Sequence, residues 1–446
     1  MKRRTLVLAL SASLGLALAG PAAAEDLVQI YREAQQNDPA IAAARANWNA
    51  TQERLPQARA GLLPNVGLSA SANVNDGRVS VNTDPRSVTA NTFNNYGYTV
   101  SATQPIFRYQ NLVAYDQAKT QVEQADYTLA LAQQDLIIRV AVAYFDVLLA
   151  QFNIELVDAQ KAAVGEQLAQ AKRNFEVGVA TITDTNEAQA KYDQIVATEI
   201  STRNDYDNRV TALRAIIGRT PNALNRLSAN FDPPMPEPNV ADYWVDLALK
   251  NNLSVRVNES NYNIATLQVD RERAGHYPTL DLVGSFGNNG GNGSAANDFN
   301  VSGRSAAIGL AVNLPIYQGG FVNSKVREAI ALQDTARQNL EGARRGALFN
   351  AQTGFTGVTS SVASVKAFGQ AVKSADVAYQ SNKLGLEVGV RTTLDVLNTQ
   401  QNVYTARRDL AQAYFNYLIG VLRLKSAIGT LNEQDVEELN RRLAAG

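Results

Sequence analysis

The sequence contains no cysteine and a single histidine, His276. Without cysteine there is no disulfide framework, no thiolate metal site and no lipidated N-terminal Cys. One histidine excludes His-based triads and paired-His metal centres. Proline is scarce, 13 in 446 residues, and long runs are rich in Ala, Gln, Asn, Leu and charge, which favours extended helices over a compact enzyme. Past the N-terminus no stretch approaches the roughly 20 apolar residues of a membrane helix, so any later membrane contact is expected to use strands or surface. Charge of either sign is not in excess. The chain has 41 Lys plus Arg against 42 Asp plus Glu, and setting aside Lys2, Arg3 and Arg4 leaves a mild net of −4. That is no basic footprint for nucleic acid.

What is present begins with an export signal over residues 1–24. Lys2, Arg3 and Arg4 form a basic start, Leu6 to Ala19 an apolar run, and Ala22-Ala23-Ala24 a small-residue cleavage site before Glu25.

The mature chain is an internal repeat. Asn37 aligns with Asn251, Arg59-Ala60-Gly61 with Arg273-Ala274-Gly275 and Pro64 with Pro278, all at an offset of 214. Farther on, Pro105-Ile106-Phe107 matches Pro315-Ile316-Tyr317 at 210, and Ile217-Gly218 matches Ile428-Gly429 at 211. The drift is loop length. The expected organisation is a first repeat over 25–218, a Pro-rich linker over 219–241, a second repeat over 242–429 and an irregular tail over 430–446. Each repeat reads helix, strand, loop, strand, long helix, tip, helix.

The tips are the most closely copied pieces, VGVATITD from Val177 to Asp184 and VGVRTTLD from Val388 to Asp395. Gly178 and Gly389 follow long helical patterns, where a left-handed residue ends a helix. Thr181 with Asp184, and Thr392 with Asp395, open the next helix in capping-box spacing. The descending helices, Phe107 to about Val177 and Gly320 to Val388, would each be about 100 Å long. The returning helices, Thr183 to Ile217 and Thr392 to Ile428, are about half that, as are the leading helices, Asp26 to Leu62 and Asp242 to Tyr277. A returning helix stacked on a leading one restores the full length, so each chain would offer four columns of equal height.

The strands alternate with period two. Val66, Leu68, Ala70, Ala72 and Val74 share one face, with Asn, Gly and Ser on the other. Tyr96 to Thr103, Leu280 to Phe286 and Ala306 to Leu314 repeat the pattern, with polar loops expected over Asp76 to Asn95 and Asn288 to Gly303. Such strands suit a half-buried soluble sheet or a barrel that is apolar outside and wet inside. Four strands are too few to close a barrel, so either the sheet is soluble or several chains share one barrel.

No catalytic chemistry is assembled. His276, before Pro278 at a strand entrance, reads as an interfacial residue. Gly287 to Ser294 is glycine-rich but lacks the Lys-Ser/Thr of a phosphate loop and lies between two strands, so it reads as a surface loop. The carboxylate pairs Asp205/Asp207 and Glu437/Glu438 sit in charge-rich, solvated stretches. No enzyme activity, cofactor or metal site is expected. Asp184 and Asp395 read first as helix caps.

Together, Asn37-Asp38-Pro39, Leu63-Pro64, VGVRTTLD and the tail AIGTLNEQD from Ala427 to Asp435 resemble the TolC-type outer-membrane channel proteins over essentially the whole mature chain. The resemblance implies an α+β membrane protein, a homotrimer in which four strands per chain build one 12-stranded outer-membrane barrel. That barrel continues into a periplasmic helical tunnel with a mixed equatorial belt. It implies an exit duct for efflux pumps or type I secretion, docked by a periplasmic adaptor protein and an inner-membrane ABC or RND transporter. It also implies a gate at the tips. Asp395 matches a constricting acidic ring, and Arg391 matches an arginine tied to a neighbouring hairpin through Thr183 and Asp184. This chain departs from the family at Asn398, where a second ring aspartate is usual, and at Leu386, where a gate tyrosine is usual. The alternatives are a trimeric barrel-anchored surface adhesin, which would not need a duplicated tip, and a nutrient porin, which would lack the long helices.

Overall fold

The computed structural model describes residues 25–80, 88–225, 232–292 and 300–443. The expected signal peptide lies outside the described residues, as do 293–294 of the glycine-rich stretch and parts of the linker, the loops and the tail. In chain order the elements are α1 (Leu27–Asn37), α2 (Pro39–Gln52), α3 (Arg54–Ala60), β1 (Asn65–Ser80), β2 (Val88–Phe107), α4 (Tyr109–Glu176) and α5 (Ile182–Ile217). The second half supplies α6 (Ala241–Asn251), α7 (Leu253–Arg273), a 3-10 turn (Ala274–His276), β3 (Thr279–Gly291), β4 (Val301–Asn313), α8 (Phe321–Glu387), α9 (Thr393–Ala427) and α10 (Glu433–Leu443).

The long helices match the expectation, at 68 residues for α4 and 67 for α8. The leading helices do not run unbroken. Pro39 holds Asp38 in an extended conformation, φ −69° and ψ 120°, which ends α1. Pro56 has no N–H to give the carbonyl of Gln52, and the helix restarts at Arg54. In the second repeat the break falls at Asn252, with ψ 124°. Its side chain then caps α7 by accepting from the Val255 N–H at 3.1 Å.

The chain forms two compact units. One comprises, of the described residues, 47–80, 88–127, 256–292 and 300–342 and holds the sheet. Here β1, β2, β3 and β4 pair in that order, all antiparallel, leaving β1 and β4 as edges. The strands are longer than the alternation suggested, because pairing extends into the polar segments: Asn75 lies opposite Phe93, and Gly290 opposite Tyr96. The glycine-rich stretch is therefore strand through Gly291 rather than loop. A Cβ on Gly290 would sit 2.7 Å from Tyr96 Cζ, so the aromatic ring occupies the space that glycine leaves. Register puts Leu68, Val100, Phe286 and Ala306 in one row, and the row beside it carries Ile308. This apolar face is exposed in the single chain, Ile308 by 81%. Tyr96 and Tyr98 flank it at one end. At the other are Phe107 and the Tyr109–Tyr277 pair, with ring centroids 5.4 Å apart. The distance from Tyr98 to Phe107, at about 3.3 Å per residue and a tilt of about 40°, comes to roughly 23 Å, close to the height of the apolar band of a spanning barrel. His276 is exposed and its Nε2 lies 3.1 Å from Asn323 Oδ1.

The other unit comprises, of the described residues, 25–46, 128–255 and 343–443. Its core joins Leu27, Ile30 and Ala34 of α1 to Leu136, Val140 and Phe145 of α4, Leu213 and Ile217 of α5, and Leu418 and Leu422 of α9. By length and composition α4 could cross a membrane, a stretch the sequence reading had not recognised. Leu136, Val140, Tyr144, Phe145, Val147 and Leu148 of that helix are instead buried in this core. The tail expected to be irregular forms α10, because Val436, Leu439 and Leu443 recur at helical spacing and pack into the same core. Both repeats make the same join here. Gly218 ends α5 beside Asn37, and Gly429 follows α9 beside Asn251, at φ 82° and 74°. A Cβ on Gly429 would lie within 2.1 Å of the Asn251 carbonyl oxygen, so only glycine fits.

Candidate functional site: the paired helix tips

The two tips have the same backbone. After α4, Gly178 takes φ 77°, and the N–H groups of Val179 and Ala180 both donate to the Asn174 carbonyl at 2.9 and 3.2 Å. After α8, Gly389 takes φ 80°, and Val390 and Arg391 both donate to the Gly385 carbonyl at 2.9 and 3.1 Å. Each turn thus satisfies a helix-end carbonyl twice over and reverses the chain with a left-handed glycine.

Both capping boxes form. Thr181 Oγ1 accepts from the Asp184 N–H at 3.2 Å, and Asp184 Oδ2 accepts from Thr181 N–H and Oγ1 at 2.9 and 2.7 Å. In the second tip Thr392 and Asp395 repeat these bonds at 3.2, 3.0 and 2.9 Å. The bonds hold both carboxyls below the usual carboxylate range. For Asp184 the Thr181 hydroxyl is the larger cause, and for Asp395 it is the Thr392 N–H.

The tips differ at three positions, Ala180 against Arg391, Ile182 against Thr393 and Thr183 against Leu394, and only Arg391 adds a charge. Its stem crosses Gly385, whose counterpart is Asn174; a Cβ on Gly385 would sit 2.6 Å from Arg391 Cγ. Among the described residues the guanidinium makes no hydrogen bond or ion pair within the chain. Thr183 and Asn398 are exposed, and Asp184 and Asp395 are half-buried. Within one chain, therefore, the tip residues expected to act together are organised in two separate boxes. The two hairpins meet elsewhere, where Leu397 of α9 packs on Val164, Leu168, Ala188 and Ile195. Nearby, Lys191 Nζ donates to Gln401 Oε1 at 3.2 Å.

Two features escaped the sequence reading. Val177, Val179, Val388 and Val390 are 65–75% exposed, so each glycine is flanked by bare apolar side chains. The duplicated VGV was the available signal. A groove of about 270 Å³ between α4, α5 and α9, walled by Val157, Ile195, Leu397 and Tyr404 among others, had none.

The model for outer membrane efflux proteins matches residues 30–219 and 244–430. The chain belongs to this family. It is 35% identical to the outer membrane protein TolC of Vibrio cholerae over 444 residues, 99% of each chain. It is 30% identical to the proteases secretion protein PrtF of Dickeya chrysanthemi over 447 residues, 98% of this chain and 95% of the other. The outer membrane protein VceC of Vibrio cholerae superposes with a TM-score of 0.76 at 21% identity, covering 90% of this chain and 96% of that one.

Membership resolves the choice left open by the strand pattern. The fold is that of trimeric channels in which each chain gives four strands to a common barrel, so the edges β1 and β4 are closed by neighbouring copies and the apolar face meets lipid. The protein is an exit duct of the Gram-negative outer membrane extending into the periplasm. Nothing in these similarities supports the adhesin alternative.

Proposed function

We propose that this efflux-family duct is a passive conduit gated at its periplasmic tips and completed by an adaptor and an inner-membrane pump. Asp395 and Asn398, one helical turn apart, face the narrow entrance, and three copies of Asp395 form an acidic ring. Arg391 ties the second hairpin to Thr183 and Asp184 of a neighbouring first hairpin. One observation carries this reading: of the three positions at which the two tips differ, only Arg391 brings a charge, its stem is seated on Gly385, and that charge has no ion-pair partner among the described residues of its own chain. Asp184 still has Oδ1 available, since the capping box uses Oδ2.

The exposed valines at both tips are the surface for a periplasmic adaptor, which links the duct to an ABC or RND transporter. Relatives named for protease secretion favour unfolded polypeptides among the cargo. No reaction is catalysed. Single-channel recording in planar bilayers tests the gate: Arg391→Ser raises conductance, and unchanged conductance in both Arg391→Ser and Asp184→Ala removes these residues from it. Crosslinked envelopes probed with Val179→Asp and Val390→Asp test the docking surface, since both changes reduce adaptor capture.

A further inference from the structure

Outside the tips, one buried charged group in the sheet unit has no role in gating or docking. From the row of Ser71, Gly97, Asn289 and Gly303 to the periplasmic end, the face opposite the apolar one carries Ser, Thr, Asn, Gly and Ala, with Pro105, Val283 and one charged residue, Asp281. In the barrel this is the lumen face. Arg108, at the turn from β2 into α4, grips Asp281 with two bonds, Nε to Oδ1 at 2.8 Å and Nη2 to Oδ2 at 2.6 Å. The geometry depends on a bulge: Pro105 pairs with Asp281 and Phe107 with Leu280, so Ile106 is skipped and Arg108 comes back to the lumen side. The Asp281 side chain is 12% exposed and that of Arg108 is 40% exposed.

We propose that Arg108 is a selectivity-determining residue of the barrel. It cancels the one carboxylate that each chain places on this part of the lumen wall, so this stretch of the barrel imposes no charge selection on cargo. A fork-shaped guanidinium on a carboxylate gives a fixed, locally neutral pair. In the trimer, loss of one partner turns three neutral pairs into a ring of three like charges at the base of the barrel. The proposal concerns the barrel alone and stands whether or not Asp395 is the gate.

Reversal potentials in a KCl gradient across planar bilayers test it, measured in the parent and in an Asp395→Asn background to separate barrel from tip. Arg108→Gln exposes Asp281 and shifts the cation-to-anion permeability ratio upward by about twofold near 0.15 M salt, and by more at lower salt, as three charges about 10 Å from the permeating ions require. Asp281→Asn shifts the ratio the other way. The Arg108→Gln, Asp281→Asn double variant returns to the parent value, and Arg108→Lys keeps it. If Arg108→Gln does not assemble, Asp281→Asn carries the test, because it leaves a half-exposed cation on the wall. Shifts of the same sign in both single variants, or no shift in an assembled one, overturn the proposal.

Discussion

The stem of Arg391 lies across Gly385, so close that a Cβ on the glycine would sit 2.6 Å from Arg391 Cγ. The first tip inverts the sizes, with Asn174 at the helix position and Ala180 at the turn. The guanidinium is thus aimed by a side chain that is missing. Gly385→Ala, a helix-favouring change on propensity alone, should displace Arg391 and raise single-channel conductance, as is expected of Arg391→Ser. Parent-like conductance in Gly385→Ala would show that the arginine reaches its partner by another route.

The proposed ring of three Asp395 carboxylates should bind multivalent cations, which then block current from the periplasmic side. Asp395→Asn is expected to abolish block. Asn398→Asp adds three charges one turn away, on the same side of α9, and should tighten it. An unchanged blocking concentration at matched ionic strength would place residue 398 off the pore.

Asp38 ends α1, caps α2 by accepting from the Ile41 N–H at 2.9 Å, and takes two bonds from Arg139 at 2.7 and 3.2 Å while only 3% exposed. Arg139 is the largest cause holding its carboxyl below the ordinary range, against the opposing effect of burial. A depressed folded pKa contributes stability that is fully present above the unfolded value of about 3.9 and is lost as pH falls from there through the folded pKa. Asp38→Asn should cost about 2 kcal/mol near neutrality, less than a fully buried pair because Arg139 stays a third exposed. Unfolding of detergent-solubilised protein should show this gap steady above about pH 5 and closing below about pH 4. A gap that widens on acidification would contradict the ion-pair account.

Thr392→Ala removes the hydroxyl that caps α9 and should cost about 1 kcal/mol, confined to the first turn. Hydrogen exchange should quicken at residues 394–396 while the core around Leu418 keeps its protection. Thr181→Ala should do the same at the start of α5, since the two boxes are copies.

Period-two alternation separated the apolar from the polar strand face in the sequence, because side chains on a pleated strand have only two sides to choose, whereas which of a soluble core or lipid meets the apolar face was left to family membership. The capping boxes and tip glycines were equally readable, since each rests on contacts between residues at most six apart. Strand length was not, because Asn and Gly carry no alternation and become strand only when Tyr96 and Phe93 are paired opposite them. The breaks at Asp38 and Asn252 followed from proline in one repeat and from a capping asparagine in the other, and only the first has a strong local signal. Arg108 and Asp281 are 173 residues apart, and Arg139 reaches Asp38 across 101. Which charges become neutral, and which glycine makes room for Arg391, was decided in the tertiary structure. Those outcomes depend on distances that the chain acquires only by folding.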